Sequence, residues 1–439
     1  MTKKLFISIV VGLFFQFGCA QSIDKSKLDS LFKILETNNK FMGSIAISHN
    51  GKIVYSKSIG FADIESNQKI TEQTKFRIGS ISKMFTASLI LKAVEENKLK
   101  LNETIDKYFP AIVNSNKITV SNLLNHRSGI HSFTDDADYL SWCTQAKSEN
   151  EMLAIIAKGK SEFEPDSKAQ YSNSNYLLLT IILEKAYKKP FKEILNEKIL
   201  SPVALQSTYL GGKINLKDAE CNSYKLSDKW LLEPETDMSI PLGAGAVVSN
   251  PSDLTKFIEA LFAGKIISEK SLEQMTTLKD NYGMGIFQIP FYEKKGFGHT
   301  GGIDGFTSML AYFPDDKLSV ALTSNATGYD NNNIMIGALS CFFNQPYELP
   351  TFKTVALKTE DLDKYLGIYA SKDIGLKITV SKNDKTLMAQ ATGQSAFPLD
   401  ATDTDVFKFD QAGIVMEFTP NEKKMVLKQG GGVFTFYRE

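Results

Sequence analysis

Ser80 and Lys83 stand three residues apart, just before a long amphipathic stretch. A serine hydroxyl is a poor nucleophile at neutral pH and needs a neighbouring base. Residues three apart share one face of a helix, and a lysine buried against that helix loses its charge easily, so Lys83 can accept the Ser80 proton. A serine in the first helical turn also exposes its own N–H, which can bind an oxyanion. The competing interpretation is an N-cap serine with a solvated lysine one turn later.

A second candidate group is Tyr171-Ser172-Asn173, which precedes an apolar helix from Tyr176. Tyr171 can act as a general base or proton relay if nearby positive charge lowers its pKa. Asn173 carries both a donor and an acceptor, so it can orient a substrate amide. Taken singly, a loop tyrosine packed by its ring is the simpler interpretation.

The third candidate group, His299-Thr300-Gly301-Gly302, is expected in a loop that enters a strand over 306–313. The two glycines allow a ligand to approach the backbone closely. Thr300 offers a hydroxyl to a carboxylate, and His299 offers charge or proton transfer. Residues 296–301 also match G-x-G-x-x-G, but a dinucleotide site needs a strand before this pattern and a helix after it. Strand-like alternation follows instead, which argues against a nucleotide.

Together the three groups resemble the motifs of the penicillin-recognising serine hydrolases: S-x-x-K, then Y-x-N or S-x-N, then K/H-T-G. With tyrosine in the second motif, the sequence resembles class C β-lactamases and soluble D-alanyl-D-alanine carboxypeptidases. With histidine in the third motif, it resembles the carboxypeptidases and D-aminopeptidases. The resemblance covers about residues 25–345, with supporting stretches at 123–129, 163–179, 243–249 and 301–306.

The resemblance implies roles for the reactive side chains. Ser80 becomes the acylated nucleophile and Lys83 its immediate proton partner. Tyr171 passes protons to the leaving group and activates the deacylating water, and His299 is the fourth catalytic candidate. No cofactor and no metal are expected.

The resemblance also implies how a substrate is held. Asn173 binds the substrate amide, and Thr300 and Gly301 bind its carboxylate or an equivalent polar group. The backbone N–H groups of Ser80 and Gly302 form the oxyanion hole, where one donor stabilises a transition state by ~2.7–4 kcal/mol. The expected partner is a small-molecule or peptide substrate.

Three positions depart from the family pattern. Gly302 replaces a hydroxyl residue with which some carboxypeptidases grip a terminal carboxylate, which weakens that specific assignment. Asp166 stands where many relatives have glycine, and residues 202–205 are a loose version of Pro-Leu-Gly-Met. His126 falls inside a supporting stretch, and its simpler interpretation is a histidine hydrogen-bonded between helices.

The elements that must position these groups follow from hydrophobic spacing. Helices are predicted over 23–37, from Ser80 to about 97, from a Ser121 cap to near 129, and over 150–158, 175–187, 190–198 and 252–262. A hairpin with a type I′ turn at Asn50-Gly51 joins strands at 43–48 and 52–56. Further strands are predicted at 283–288, 306–313 and 318–324. Strands at both ends with helices between them indicate one antiparallel sheet flanked by helices, with a helical subdomain beside it.

From about residue 347 the pattern changes to short alternating segments at 376–380, 387–391, 406–409, 414–418, 425–428 and 433–437. Their roughly ten-residue spacing is typical of a small β-barrel or β-sandwich. The predicted fold class is therefore α/β (α+β), of the β-lactamase/DD-peptidase type, followed by a small all-β, barrel-like domain. The expected domains are a serine hydrolase domain over 21–348 and a C-terminal β-domain over 349–439.

The N-terminus predicts export. Lys3 and Lys4 precede an apolar run that is too short to span a bilayer comfortably, and small residues at 18–20 fit cleavage before Gln21, so residues 1–20 are interpreted as a signal peptide. The protein is expected to be periplasmic or secreted, without a transmembrane segment after signal removal. The alternative is a membrane-anchored lipoprotein through Cys19.

Composition excludes several classes of function. Fifty basic and fifty acidic residues balance, so nothing indicates a nucleic-acid partner. The four histidines form no metal-ligand grouping, and Cys143, Cys221 and Cys341 are widely spaced and expected to be buried packing residues. Composition leaves the oligomeric state undetermined.

The sequence thus predicts an exported serine hydrolase that acts through an acyl-enzyme on Ser80. The favoured activity is a D-amino-acid-specific peptidase or carboxypeptidase related to peptidoglycan. The alternatives are a class C-like β-lactamase or an esterase, a β-lactam sensor that acylates and then stalls, and an inert relative kept for protein contacts.

Overall fold

The computed structural model describes residues 23–227 and 229–439. The expected signal peptide, with Cys19, lies outside the described residues and stays a prediction. Within the described ranges, none of the helices combines the length and apolar character needed to cross a bilayer.

A six-stranded antiparallel sheet forms the centre of the first part of the chain. The strands are β1 (Phe41–His49), β2 (Lys52–Ile59), β3 (Phe287–Phe291), β4 (Lys294–Ile303), β5 (Phe306–Phe313) and β6 (Leu318–Thr327). Their spatial order is β3-β4-β5-β6-β1-β2, so strands from the two ends of this region lie side by side, as predicted.

The turn between β1 and β2 has the predicted geometry. Asn50 and Gly51 have φ of 53° and 76°. Two consecutive positive φ values define a type I′ turn, whose twist matches that of the flanking strands.

Eleven helices accompany this sheet in the described residues. They are α1 (Lys25–Thr37), α2 (Ser82–Glu95), α3 (Val120–Leu124), α4 (Tyr139–Trp142), α5 (Glu149–Lys158), α6 (Asn173–Tyr187), α7 (Phe191–Leu195), α8 (Ser201–Val203), α9 (Pro251–Phe262), α10 (Glu269–Thr276) and α11 (Asn331–Phe343). Helices α1 and α11 share one apolar cluster with one face of the sheet, while α2, α6 and α9 share a second cluster with the opposite face. The site elements α2 and α6 therefore pack on a sheet that is covered on both faces.

The helix prediction was wrong at α3, which ends at Leu124 and not near 129, and it missed α4, α8, α10 and α11. The cap of α3 is Thr119, not Ser121, because the Thr119 hydroxyl and the Asn122 side chain form a reciprocal capping box. Helix α11 was not predicted, because it is buried almost all round and so shows little amphipathic periodicity.

The third motif lies within strand β4, and not in the predicted loop. Glycine weakens a strand and hides it from propensity arguments, but β4 needs glycine for close packing. A Cβ at Gly298 would overlap the carbonyl oxygen of Leu310 on β5. Residues 296–301 all lie in β4, which turns directly into β5, so the dinucleotide-binding alternative has no helix to carry it.

The C-terminal part of the chain is a closed antiparallel barrel of eight strands, which confirms the barrel-like expectation. Six of the strands were predicted. The two that were missed are a four-residue strand and one whose sequence contains proline and two aspartates. The strands are β7 (Gly367–Ala370), β8 (Lys377–Asn383), β9 (Thr386–Ala391), β10 (Phe397–Asp403), β11 (Val406–Phe409), β12 (Ile414–Thr419), β13 (Lys424–Gln429) and β14 (Gly432–Arg438).

The barrel has its own apolar core and contacts the first part through polar groups. Its cluster of buried side chains draws only on residues 357–436. Lys40 Nζ lies 3.0 Å from Asp410 Oδ2, and the Asp330 N–H donates to the Asp410 carbonyl at 2.8 Å. The domain boundary near 349 stays a prediction.

The three cysteines in the described residues are buried and free, as expected for packing residues. Burial raises the pKa of the Cys221 thiol well above its usual range. Cys221 therefore remains a thiol at neutral pH, since the reactive species is the thiolate.

Candidate active site

Ser80 lies in a 3₁₀ turn, Gly79–Ile81, and α2 begins only at Ser82. The sequence placed Ser80 in the first α-helical turn. The turn is tighter because Gly79 adopts a φ of 50°, a left-handed conformation that favours glycine. A Cβ at Gly79 would lie 2.7 Å from the Gly302 nitrogen, so the Ser80 turn packs backbone to backbone against β4.

The Lys83 amine is surrounded by three oxygen atoms. Nζ lies 2.9 Å from Ser80 Oγ, 2.7 Å from Asn173 Oδ1 and 2.7 Å from the carbonyl oxygen of Ala244. The side chain is fully buried, and burial lowers the pKa of Lys83 well below its usual range. A neutral amine has two hydrogens, which the carbonyl oxygens of Asn173 and Ala244 accept. Its lone pair is then left for the Ser80 hydroxyl.

Asn173 is held by its backbone N–H and by both polar atoms of its side-chain amide. Its backbone N–H donates to Ser132 Oγ at 3.1 Å, and its side-chain Nδ2 donates to Thr134 Oγ1 at 2.9 Å. Because Oδ1 accepts from Lys83, the amide orients the base. One hydrogen of Nδ2 remains to meet a substrate carbonyl, which is the role the sequence assigned to it.

Tyr171 lies on the other side of the nucleophile. Burial raises the pKa of its hydroxyl above its usual range, and a hydrogen bond with Ser80 opposes that rise. The Tyr171 ring centroid is 4.8 Å from Lys83 Nζ and 4.4 Å from the centroid of the His126 ring. Tyr171 therefore keeps its proton at neutral pH and can donate it, in contrast to the general base that the sequence considered.

His299 is buried and neutral. Its pKa is lowered to about 3, mainly by burial, although a hydrogen bond to the Thr300 carbonyl opposes this shift. Its Nδ1 donates to that carbonyl at 2.5 Å, and within the described residues its Nε2 has no hydrogen-bond partner. His299 thus offers an uncharged acceptor beside Tyr171, at 6.4 Å between ring centroids, and not the positive charge that the sequence allowed.

His126 has a similar environment. It is buried, its Nδ1 accepts the Ser172 N–H at 3.2 Å, and burial lowers its pKa well below the usual range. This fits the hydrogen-bonded structural interpretation, although Nε2 finds no partner in the described part of the chain.

The candidate oxyanion donors lie on the two packed backbones described above. Strand β3 pairs with β4 only as far as Gly298, so residues 299–303 have no strand on that edge, and the Ser80 turn occupies it. A Cβ at Gly301 would overlap the Ile78 carbonyl oxygen, which explains the glycine there. A Cβ at Gly302 would meet no heavy atom nearer than 4.0 Å. Thr300 is exposed.

A cavity of about 660 Å³ opens above Ser80. Asn173, Ala244 and Gly302 line it, together with an apolar wall that includes Phe133 and Tyr139. All of its lining residues come from the first part of the chain, and none comes from the barrel.

An arginine missed by the sequence arguments holds one side of this cavity. Arg77 is buried and donates to Asp304 Oδ2 at 2.9 Å, to Glu235 Oε2 at 2.8 Å and to the Thr236 carbonyl at 2.9 Å. Asp304 in turn accepts the Thr236 N–H at 3.0 Å. Asp304 belongs to a stretch that carried the family resemblance, but its pairing with Arg77 over such a sequence distance leaves no spacing signal.

The Asp166 departure also has a geometric explanation. Its φ is 66°, in the left-handed region where relatives carry glycine and where aspartate is tolerated. Its carboxylate accepts from Arg127 Nε at 2.7 Å and from Lys279 Nζ at 2.8 Å. Both bonds lower the pKa of Asp166, so this loop before Tyr171 is fixed by ion pairs.

Comparison with protein families gives a match over residues 35–337 to the family described as Beta-lactamase. The chain belongs to this family of serine hydrolases. Among its relatives, Penicillin-binding protein 4* of Bacillus subtilis (strain 168) is 27% identical, over 93% of this chain and 97% of the relative. The Teichoic acid D-alanine hydrolase of Staphylococcus aureus (strain NCTC 8325 / PS 47) is 30% identical, over 72% of this chain and 75% of the relative.

Solved structures with a Beta-lactamase-like fold superpose on this chain. The octameric penicillin-binding protein homologue from Pyrococcus abyssi superposes with a TM-score of 0.68 at 25% identity, over 94% of this chain and 100% of that one. The D-amino acid amidase from Ochrobactrum anthropi SV3, complexed with D-phenylalanine, superposes with a TM-score of 0.65 at 24% identity. The match covers 73% of this chain and 99% of that one. The predicted fold is thereby confirmed.

Proposed function

We propose that this chain is an exported hydrolase of D-amino-acid-containing peptides or esters that acts through an acyl-enzyme on Ser80. The observation that carries the proposal is the position of the Lys83 amine, 2.9 Å from Ser80 Oγ, with two carbonyl oxygens to accept its hydrogens. The choice of D-amino acids is supported by relatives named for D-alanine and D-amino acid substrates. Export, to the periplasm or the medium, rests on the N-terminal pattern alone.

In the first step, Lys83 takes the Ser80 proton while Oγ attacks the substrate carbonyl. The resulting oxyanion is bound by the N–H groups of Ser80 and Gly302. The tetrahedral intermediate then collapses, the C–N or C–O bond to the leaving group breaks, and the leaving amine or alcohol takes a proton from Tyr171. The Lys83 ammonium returns the proton it took from Ser80 to the Tyr171 oxygen, which leaves both groups neutral. Water attacks the acyl-enzyme ester by the reverse proton path, and Ser80 is regenerated.

Neutral His299 has a supporting role in this scheme. Its Nε2, which has no partner within the described residues, is available to accept a hydrogen bond from a water or a substrate N–H beside Tyr171. Thr300 and Gly301 border the substrate next to Gly302 on β4. Asn173 binds the amide of the acyl part through its free Nδ2 hydrogen.

The test is one substrate panel that compares kcat/KM for a D-Ala-D-Ala peptide, a D-aminoacyl amide, p-nitrophenyl acetate and a cephalosporin. We expect the D-substrates to exceed their L-isomers at least tenfold, about 1.4 kcal/mol of differential transition-state binding. A cephalosporin value a hundredfold above the D-substrates would identify a β-lactamase instead.

Ser80→Ala should abolish turnover of every substrate without lowering the melting temperature, since a hydroxyl on an open cavity stabilises the fold little. Ser88→Ala, the same change two turns along α2, removes a buried hydroxyl that donates to the Met84 carbonyl and should leave turnover intact. Stoichiometric acylation of Ser80 without product release, detected by mass spectrometry, would indicate a sensor.

A further inference from the structure

Glu233 is an unpartnered carboxylate on the wall of the Ser80 cavity. It follows the short strand Trp230–Leu232, is half-buried, and lines the same cavity as Ser80 and Gly302. Its backbone N–H donates to the Ser223 carbonyl at 2.9 Å. Its carboxylate has neither an ion pair nor a hydrogen bond to any residue in 23–227 or 229–439.

The remaining charges around the cavity leave this carboxylate uncompensated. Asp304 also lines the cavity, but it is neutralised by Arg77 at 2.9 Å. Among the described residues that line the cavity, none is lysine, arginine or histidine. The nearby Lys83 amine is buried with a lowered pKa, and its hydrogens are bound. The cavity is therefore electronegative, which favours a substrate cation and opposes a substrate carboxylate.

The backbone next to Glu233 is fixed before a substrate arrives. Its neighbours Glu235 and Thr236 are tied to Arg77 and Asp304 by three of the hydrogen bonds described above. Only the rotamers of the Glu233 side chain therefore remain to be ordered when it binds a ligand. Partial burial also reduces the screening of its charge by salt.

We propose that Glu233 binds the free α-ammonium group of a D-aminoacyl ester or amide whose carbonyl Ser80 attacks. This inference rests on the proposed function and narrows it: the site takes substrates with a free amine at the acyl end, and disfavours peptides whose identity lies in a terminal carboxylate. Gly302, which offers no hydroxyl to such a carboxylate, agrees with this assignment.

The test separates charge recognition from stereochemistry. kcat/KM is measured on D-alanine p-nitroanilide, L-alanine p-nitroanilide, N-acetyl-D-alanine p-nitroanilide, D-alanine methyl ester and p-nitrophenyl acetate. The wild type should prefer the free amine over the N-acetyl compound at least tenfold, mainly through KM, and the preference should shrink at high salt. Glu233→Gln should remove that preference, and it should lower kcat/KM for D-alanine p-nitroanilide far more than for p-nitrophenyl acetate.

The matched control is Asp237→Asn, which removes a negative charge from the same loop. Asp237 does not line the Ser80 cavity, and its oxygen accepts from Ser239, a bond that asparagine can keep. This variant should retain the free-amine preference.

Each outcome decides one proposal or both. A free-amine preference that survives in Glu233→Gln overturns the role of Glu233, even where D-isomers are preferred over L-isomers. A preference that depends on Glu233 without any choice of D over L supports that role and overturns the D-specific function. Hydrolysis of p-nitrophenyl acetate with no hydrolysis of any anilide or of D-alanine methyl ester overturns both.

Discussion

At the scale of single residues, one cause acts on Lys83 and Tyr171 in opposite directions. Burial disfavours the charged form of each, so it lowers the pKa of the amine and raises that of the phenol. Burial therefore favours the uncharged base form of Lys83 and the uncharged acid form of Tyr171 beside the Ser80 hydroxyl. Pairs of groups whose environments favour different proton roles are the usual basis of acid–base catalysis.

His299 provides a prediction for the pH dependence of stability. Its folded-state pKa of about 3 lies below the ordinary value of 6.5, so below pH 6.5 the unfolded chain binds a proton that the folded chain does not. Stability is thus full above pH 6.5 and falls as the pH drops toward 3, by on the order of 2 kcal/mol at pH 5. The melting temperature of His299→Asn should fall less than that of the wild type when the pH is lowered from 7.5 to 5.

His131 serves as the control of opposite sign. Hydrogen bonds to Glu162 and Asp136 raise its pKa despite some burial, so its stabilisation is present below pH 6.5 and is lost as the pH rises through the folded-state pKa. His131→Asn should therefore lose more melting temperature than the wild type on acidification. Equal losses in both variants would contradict the prediction.

The site could be predicted from the sequence only where side chains act through local spacing. Ser80 and Lys83 are three residues apart, and their contact follows from the helix. The Ala244 carbonyl that also accepts from Lys83 is a backbone atom, which any residue type supplies, so no pattern marks it. The neutral state of His299 could not be predicted either, because it results from burial by distant segments.

At the scale of elements, the site depends on how closely the Ser80 turn approaches β4. Both sides of that contact are glycine: Gly79 with a positive φ on the turn, and Gly301 beneath the Ile78 carbonyl on the strand. Ser308 Oγ donates to the same Ile78 carbonyl at 2.8 Å and fixes it from β5. The distance between the two candidate oxyanion donors is set by this packing.

Gly301→Ala and Gly302→Ala form a matched pair that tests this packing. The Cβ at position 301 would overlap the Ile78 carbonyl oxygen, so the turn and the strand must separate; we expect a loss of about 1–3 kcal/mol in stability. The rate of Ser80 acylation should fall ~tenfold or more, since an oxyanion donor is displaced. Both are measured by thermal unfolding and by burst kinetics with p-nitrophenyl acetate.

At position 302 the same methyl group points into the open cavity. Gly302→Ala should therefore keep the wild-type melting temperature. Equal destabilisation by the two variants would show that backbone flexibility, and not the close approach, explains the glycines.

Elements could be predicted where a local sequence pattern marks them, and not where distant contacts determine them. Helices with one apolar face, such as α1 and α9, are predicted by their hydrophobic periodicity. The periodicity of strand β4 gave no such signal, because Gly298 and Gly301 serve contacts with β5 and with the Ser80 turn that no local pattern records. Barrel strand β10 was hidden by its proline and aspartates, although its pairing with β9 and β11 is regular enough to close the barrel.

At the scale of the whole molecule, the barrel is attached to the hydrolase but does not enter its cavity. Phe352 packs against Tyr329 with 5.5 Å between ring centroids, so the connecting segment belongs to the first part of the chain up to this point. The barrel core is independent of it. The two parts meet through the Lys40–Asp410 ion pair and backbone hydrogen bonds.

A chain that ends at Thr354 should fold and hydrolyse p-nitrophenyl acetate with kcat/KM within about threefold of the full chain. It keeps Phe352 and every residue that lines the cavity. A chain that ends at Phe343 also loses Tyr347, Leu349 and Phe352 from the cluster around α11, and should melt at a lower temperature. If the longer truncation folds without esterase activity, the barrel takes part in catalysis.

The pairing of β1 with β6 has a consequence for biosynthesis. His49 pairs with Leu318, roughly 270 residues further along the chain, while β1 is buried on both faces in the finished protein. A ribosome that adds about 5–20 residues per second needs on the order of tens of seconds to make the partner of β1. During that time an apolar strand with an open edge stays exposed, so the nascent chain is prone to aggregation until the sheet can close.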